Sequence, residues 1–211
     1  MRIGIFGGSF DPIHYGHLIL AEHCLHQASL DEVWFIPAAT APHKERGATM
    51  TDRQRTETIK MAIGGHPQFV FSDIEIKRGG ISYTVDTLSE IKEQRPEDEL
   101  LLLIGKDSLD GFNTWKEPRR ICELAVPVVV SRPSSGDGKP DLTLLEKYVS
   151  PERFQLFQQH TVQSPLIEIS SSEIRRRFES GESSRYLLPR GVEKYIETAG
   201  IYQAKARATN A

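Results

Sequence analysis

The segment Gly7-Gly-Ser-Phe-Asp-Pro-Ile-His-Tyr-Gly-His17 holds the densest chemistry in the chain. It lies where an apolar run, Arg2-Ile-Gly-Ile-Phe-Gly7, gives way to a helical pattern through Leu18, Leu20, Ala21, Cys24 and Leu25. A strand that feeds a helix gathers unpaired N–H groups and the positive end of a helix dipole at one spot, and both favour an anion. Gly7 and Gly8 permit a backbone path closed to residues with a Cβ, and they let a ligand come close. With the helix beginning near His14, the rings of His14 and His17 share one face of its first turn. Gly16 between them leaves room for a flat group. Two imidazoles at a helix N-terminus can donate hydrogen bonds to charge that develops during phosphoryl or nucleotidyl transfer. His-x-x-His also occurs in zinc sites, but no Glu follows as in His-Glu-x-x-His and no Cys pair is near. Gly4, Gly7 and Gly8 do not fit G-x-G-x-x-G, so a redox dinucleotide loop is a poor match. His23 and His26 repeat the three-residue spacing two turns on and read as ordinary helix residues.

A second polar cluster opens at Ser170-Ser-Ser-Glu173. Serine hydroxyls, the free N–H groups of a helix start and the Arg175 guanidinium make a second anion cradle. The plainer reading is a capping box followed by a solvated run, Arg175-Arg-Arg177. Gly105-Lys-Asp107 ends the most apolar strand, where a carboxylate can accept two ribose hydroxyls. A turn Asp that caps the next segment is the alternative. Trp115, after Phe112, offers a plane for a pyridine ring or a plug for the sheet edge. Thr84 starts a helix after Gly79-Gly80, so its N–H can receive a carboxylate. Lys44 sits on a loop beside His43, where a lysine is ordinarily just solvated. Arg46, Arg53 and Arg55 add positive charge and are taken as surface residues.

These groups need a scaffold, and the hydrophobic pattern supplies one. Strands are expected at residues 2–7, 33–36, 69–71, 100–104 and 126–130. Helices fall between them, including one opened by a capping box at Thr51-Asp-Arg-Gln54 and one from Tyr83 to Gln94. The unbroken run Leu100–Ile104 marks a central parallel strand covered on both faces. Five alternations of strand and helix with short connections give a doubly wound, Rossmann-like α/β fold: a parallel sheet with helices on both faces. Ligands of such a sheet bind outside the carboxyl ends of the strands that flank the switch point, here the first and fourth. Residues 134–140 read as a surface loop. Weaker strands are expected near Phe154–Gln158 and Leu166–Ile169. A helix follows from Ser170 to Phe178, and another from Val192 to Ala199, stopped by Gly200, forms a small C-terminal helical extension. One α/β domain spans 1–203, and 204–211 is a frayed, disordered tail.

Composition excludes several classes of function. The chain has 211 residues, 26 Lys+Arg against 29 Asp+Glu, and a formal charge of −3. That balance fits neither a basic nucleic-acid coater nor an acidic tail. Two cysteines, Cys24 and Cys122, cannot build a disulfide framework and read as core filler. No apolar run approaches the ~20 residues that span a bilayer. A signal peptide is not expected, because Asp11 follows the glycine-rich start too early. The expected protein is cytoplasmic, with no nucleic-acid or membrane partner; a homo-oligomer is compatible with the sequence.

The string Gly8-Ser-Phe-Asp-Pro-Ile-His-Tyr-Gly-His17 resembles the (H/T)xGH signature of a nucleotidyltransferase superfamily that includes the adenylyltransferases of cofactor synthesis. Three more stretches are similar to one branch, the bacterial nicotinate-mononucleotide adenylyltransferases: Pro42-His-Lys44, Ser82-Tyr-Thr-Val-Asp-Thr87, and Gly105-Lys-Asp-Ser108 with Trp115. Ile169-Ser-Ser-Ser-Glu-Ile-Arg175 matches the Ser/Thr-rich helix start shared more widely in the superfamily. This resemblance covers residues 1 to about 202 and implies transfer of AMP from ATP to nicotinate mononucleotide, giving deamido-NAD and pyrophosphate. It implies that His14, His17, Lys44 and Arg175 act on the phosphates. Gly7, Gly8, Ser9, Phe10, Gly16, Gly105, Asp107, Ser171 and Ser172 would bind ATP, with Ser172 and Arg175 on the β- and γ-phosphates. Thr84 and Trp115 would hold the nicotinate. Mg²⁺ would be bound mainly through ATP phosphates, without a dedicated protein site. A sister enzyme acting on nicotinamide mononucleotide or pantetheine phosphate is the nearest rival; a dinucleotide oxidoreductase or a non-catalytic nucleotide-binding module is further off.

Overall fold

The computed structural model describes residues 1–42, 48–131 and 140–203. Six parallel strands form one sheet: β1 (Arg2–Gly8), β2 (Glu32–Pro37), β3 (Phe69–Phe71), β4 (Glu99–Gly105), β5 (Val126–Ser131) and β6 (Thr161–Gln163), in the order β3-β2-β1-β4-β5-β6. The order reverses between β1 and β4. Leu100 to Ile104 are all buried, as an apolar run covered on both faces requires. Helix α1 (Tyr15–Gln27) follows β1 and buries Ala21, Cys24 and Leu25. Helix α2 (Asp52–Ile63) begins with the expected capping box: Thr51 accepts from the Gln54 N–H, and Gln54 reaches back to the Thr51 N–H.

A short helix, α3 (Ile74–Arg78), and helix α4 (Thr84–Gln94) connect β3 to β4. The stub α5 (Lys106–Asp110), a 3-10 turn at Phe112–Thr114 and helix α6 (Pro118–Leu124) lead to β5. Beyond β5 come α7 (Thr143–Glu146), α8 (Pro151–Gln158), α9 (Ser171–Ser180) and α10 (Arg190–Thr198). Cys24 and Cys122 are both buried in helices, and burial pushes both thiols up to about 12. Neither is a nucleophile near neutral pH.

Three expectations are corrected. Residues Phe154–Gln158 belong to helix α8, not to a strand. Ser150 caps it by accepting from the Arg153 N–H, Pro151 holds its first position and Glu152 lies in its first turn. No strand forms at Leu166–Ile169; Thr161–Gln163 takes the place beside β5, and Leu166 stays exposed. Arg55 is not a surface residue but is 1 % exposed. It sits on the buried stripe of α2 with Thr58, Ile59 and Ile63. The expected surface loop and frayed tail at 134–140 and 204–211 fall outside the described residues, apart from Pro140.

Candidate active site

His14 is the N-cap of α1, with extended backbone. His17 lies one turn on, and its Nδ1 accepts from the His14 N–H at 3.2 Å. That bond requires an unprotonated Nδ1, so the neutral His17 ring carries its proton on Nε2. The two imidazoles stack with centroids 3.7 Å apart and planes 22° apart. Burial lowers the His14 pKa to about 4, so that ring is also neutral near pH 7. The pair could therefore meet an anion as hydrogen-bond donors, without two full positive charges.

The role expected of Gly16 changes. A Cβ there would lie 3.0 Å from His14 Nδ1 and 3.5 Å from the Ile169 carbonyl oxygen. The room that Gly16 leaves is thus filled by His14's own ring and by the chain entering α9. The N–H groups of the first turn are also partly spent: Tyr15 donates to the Leu187 carbonyl, and His17 to the His14 carbonyl.

The start of α9 docks against this loop. Ser171 Oγ donates to the Pro12 carbonyl at 2.9 Å, and Arg175 donates to the Asp11 carbonyl at 2.7 Å. Ser170 caps α9, accepting from the Glu173 N–H, while Ser172 is exposed on the first turn. The Glu173 carboxylate does not complete a capping box but pairs with Arg176 and Arg177. Of the three consecutive arginines, it is Arg175 that turns to the His loop. The two anion cradles inferred separately from sequence are neighbours.

A cavity of about 370 Å³ opens beside them, at the carboxyl ends of β1 and β4. Gly7, Gly8, Ser9, Gly105, Thr84 and Trp115 all line it. Trp115 leans on the buried Phe112 ring at 5.2 Å and borders the cavity. Thr84 is the first residue of α4, where N–H groups lack an intrahelical carbonyl. His14, His17, Arg175, Asp107 and Ser172 are not on the cavity wall. The site therefore has two halves, a cavity and a polar cradle, which meet along Gly7–Ser9. Asp107 is exposed in the first turn of α5, just past Gly105. The Phe10 side chain does not reach the ligand space: it is 1 % exposed and packs against Phe6, His17 and Phe35. Only its backbone, in the left-handed region at φ 45°, shapes the loop. Lys44, with His43, lies outside the described residues.

Sequence reading missed three residues that hold this loop. Asp11 is buried, and its carboxylate accepts from the N–H groups of Thr49 and Met50 and from the Tyr202 hydroxyl. Burial and the Asp11 carboxylate push the Tyr202 phenol far above its usual range. Arg55 donates to the Ser9 carbonyl at 3.1 Å and pairs with Asp52 at 2.5 Å. It stands on the same helical face as Ile59, but an arginine there reads as solvated until its partners are known. Tyr202 gave no signal, because its partner is 191 positions away.

The model of the family described as Cytidylyltransferase-like matches residues 5–177. The chain belongs to the cytidylyltransferase-like family. Within that family it is a member of the nicotinate-nucleotide adenylyltransferases. It is 38 % identical over 203 residues to a protein of Rhodopirellula baltica, covering 96 % of this chain and 94 % of that one. It is 41 % identical over 202 residues to one of Desulfitobacterium hafniense, covering 96 % of each. Both relatives carry the name "Probable nicotinate-nucleotide adenylyltransferase". Among solved structures, the fold is similar to Plasmodium falciparum nicotinic acid mononucleotide adenylyltransferase complexed with NaAD. The TM-score is 0.73 and the identity 20 %, with 95 % of this chain and 97 % of that chain covered.

Proposed function

We infer that this protein transfers the adenylyl group of ATP to nicotinate mononucleotide, giving deamido-NAD and pyrophosphate, a step of NAD biosynthesis. The observation that carries the reading is the meeting of two helix starts and a stacked imidazole pair beside a cavity at the switch point of the sheet. A phosphate oxygen of the mononucleotide attacks the α-phosphorus of ATP in line. The new P–O bond forms as the bond to the β-phosphate oxygen breaks, and pyrophosphate leaves. The attacking oxygen is already ionised near neutral pH, so no general base is required. Catalysis then rests on positioning and on stabilising dispersed charge.

His17 Nε2–H and the His14 ring would donate to the phosphate oxygens. Arg175, the Ser171 and Ser172 end of α9 and Lys44 would hold the β- and γ-phosphates. The backbone of Gly7, Gly8, Ser9 and Phe10 would form the wall between the two substrates, with Gly105 and Asp107 on the ribose. Trp115 would stack the pyridine ring and the start of α4 at Thr84 would receive its carboxylate.

Mg²⁺ suits this donor set as a phosphate-bound ion. The Asp11 carboxylate beside the loop is already taken by Thr49, Met50 and Tyr202. No group of three or more His, Cys, Asp or Glu among the described residues could hold a metal. When bound, the ion neutralises charge on the leaving pyrophosphate. No helix among the described residues is long and apolar enough to cross a membrane, and the two buried free thiols fit a cytoplasmic setting.

Pyrophosphate release from ATP and Mg²⁺ with each candidate acceptor in turn tests the reading. Turnover should be fastest with nicotinate mononucleotide. A clear preference for pantetheine phosphate or for the amide mononucleotide would replace it, and no release with any acceptor would leave a binding module.

A further inference from the structure

A hydrogen-bond relay and an ion pair flank the cavity end where the pyridine ring would sit. Glu75 is buried on the cavity wall. The Thr87 hydroxyl donates to it at 2.6 Å and accepts from Arg78 at 2.7 Å, so this carboxyl is held from behind. Asp86 lies in the first turn of α4, two residues after Thr84. There it opposes the positive end of the helix dipole, the feature that would attract a substrate carboxylate. Lys116 answers it: its Nζ lies 3.0 and 3.2 Å from the two Asp86 carboxylate oxygens and 4.8 Å above the Tyr83 ring. Lys116 also lines the cavity next to Trp115. Both partners of this pair are part exposed, so the lysine can exchange one carboxylate for another without a large desolvation cost.

We propose that the Lys116–Asp86 pair sets how strongly this enzyme prefers the acid mononucleotide over its amide. The lysine masks Asp86 and keeps the start of α4 attractive to a carboxylate, and Asp86 restrains the lysine. This proposal rests on the reading of the acceptor as nicotinate mononucleotide. It adds to that site a specificity determinant, Lys116, that lies outside the motifs quoted from the sequence, and gives a role to Asp86 within one of them.

The test is the ratio of kcat/KM for nicotinate mononucleotide to kcat/KM for nicotinamide mononucleotide. Lys116→Met unmasks Asp86 and should lower the ratio about fivefold, while Asp86→Asn frees the lysine and should raise it by a similar factor. The double variant should return close to the unmodified ratio, and added salt should shrink both single effects. A merely structural ion pair would behave differently: both single variants and the double would shift in the same direction, or the ratio would not move. Either result overturns the proposal. If the unmodified protein turns over the amide and not the acid, the functional reading itself falls, which is a separate outcome.

Discussion

The stacked imidazoles carry the sharpest consequences of single residues. His17→Ala removes the Nε2–H donor and should lower kcat by ~10²-fold or more, with an unchanged circular dichroism spectrum. Near-normal pyrophosphate release from a folded variant would remove His17 from the chemistry. His14 also makes stability depend on pH. Unfolded, its ring takes up a proton near 6.5; folded, burial holds the pKa at about 4. The unfolded state binds the extra proton between those values. Its stabilising contribution is therefore complete above pH 6.5 and is lost as the pH falls towards 4, by about 3 kcal/mol in total. His14→Gln should flatten that limb of a plot of urea midpoint against pH, and an unchanged slope would assign it to another group. Trp115→Ala should raise KM for the mononucleotide more than KM for ATP, because the ring lines the cavity and not the polar cradle. Equal losses would make it a fold residue. Most polar contacts at this scale were legible because their residues cluster in short strings, 7–17 and 170–175. Arg55 was not, because an arginine on an apolar stripe reads as solvated unless its partners, Ser9 and Asp52, are known.

Among the elements, the long periodic ones were readable and the short ones were not. Helices α1, α2 and α4 follow their apolar stripes, and the strands β1, β2, β4 and β5 follow their apolar runs. Helix α8 was misread because Phe154, Leu156 and Phe157 suit either period. Its start signal, Ser150-Pro-Glu, decides the matter. Ser150→Ala should accordingly cost about 1 kcal/mol in thermal or urea unfolding. The seating of the His14 ring at the start of α1 depends on the missing side chain of Gly16. Gly16→Ala places a Cβ 3.0 Å from His14 Nδ1, tighter than ordinary contact. The ring must give by a few tenths of an ångström, which disturbs its stack on His17, so kcat should fall further than thermal stability does. A variant with full activity would show that the pair tolerates displacement.

At the scale of the whole molecule, the doubly wound pattern put the switch point between the first and fourth strands, and β1 does lie beside β4 with the crevice at their carboxyl ends. The last strand and the closing latch did not follow. A three-residue strand at Thr161–Gln163 carries too little pattern to be read, and the bond from Tyr202 to Asp11 joins residues 191 positions apart. Tyr202→Phe deprives the Asp11 carboxylate of one of its donors and should cost about 1–2 kcal/mol in urea unfolding. It should also lower kcat, because Asp11 ties the loop before α1 to Thr49 and Met50. That latch has a consequence in time. Residues 7–17, proposed to grip the nucleotide, leave the ribosome long before the Tyr202 hydroxyl that braces them. A nascent chain arrested before residue 202 has emerged should be inactive even with its sheet assembled, and emergence of Tyr202 should switch activity on. Full turnover by such an arrested chain would show that the brace is dispensable.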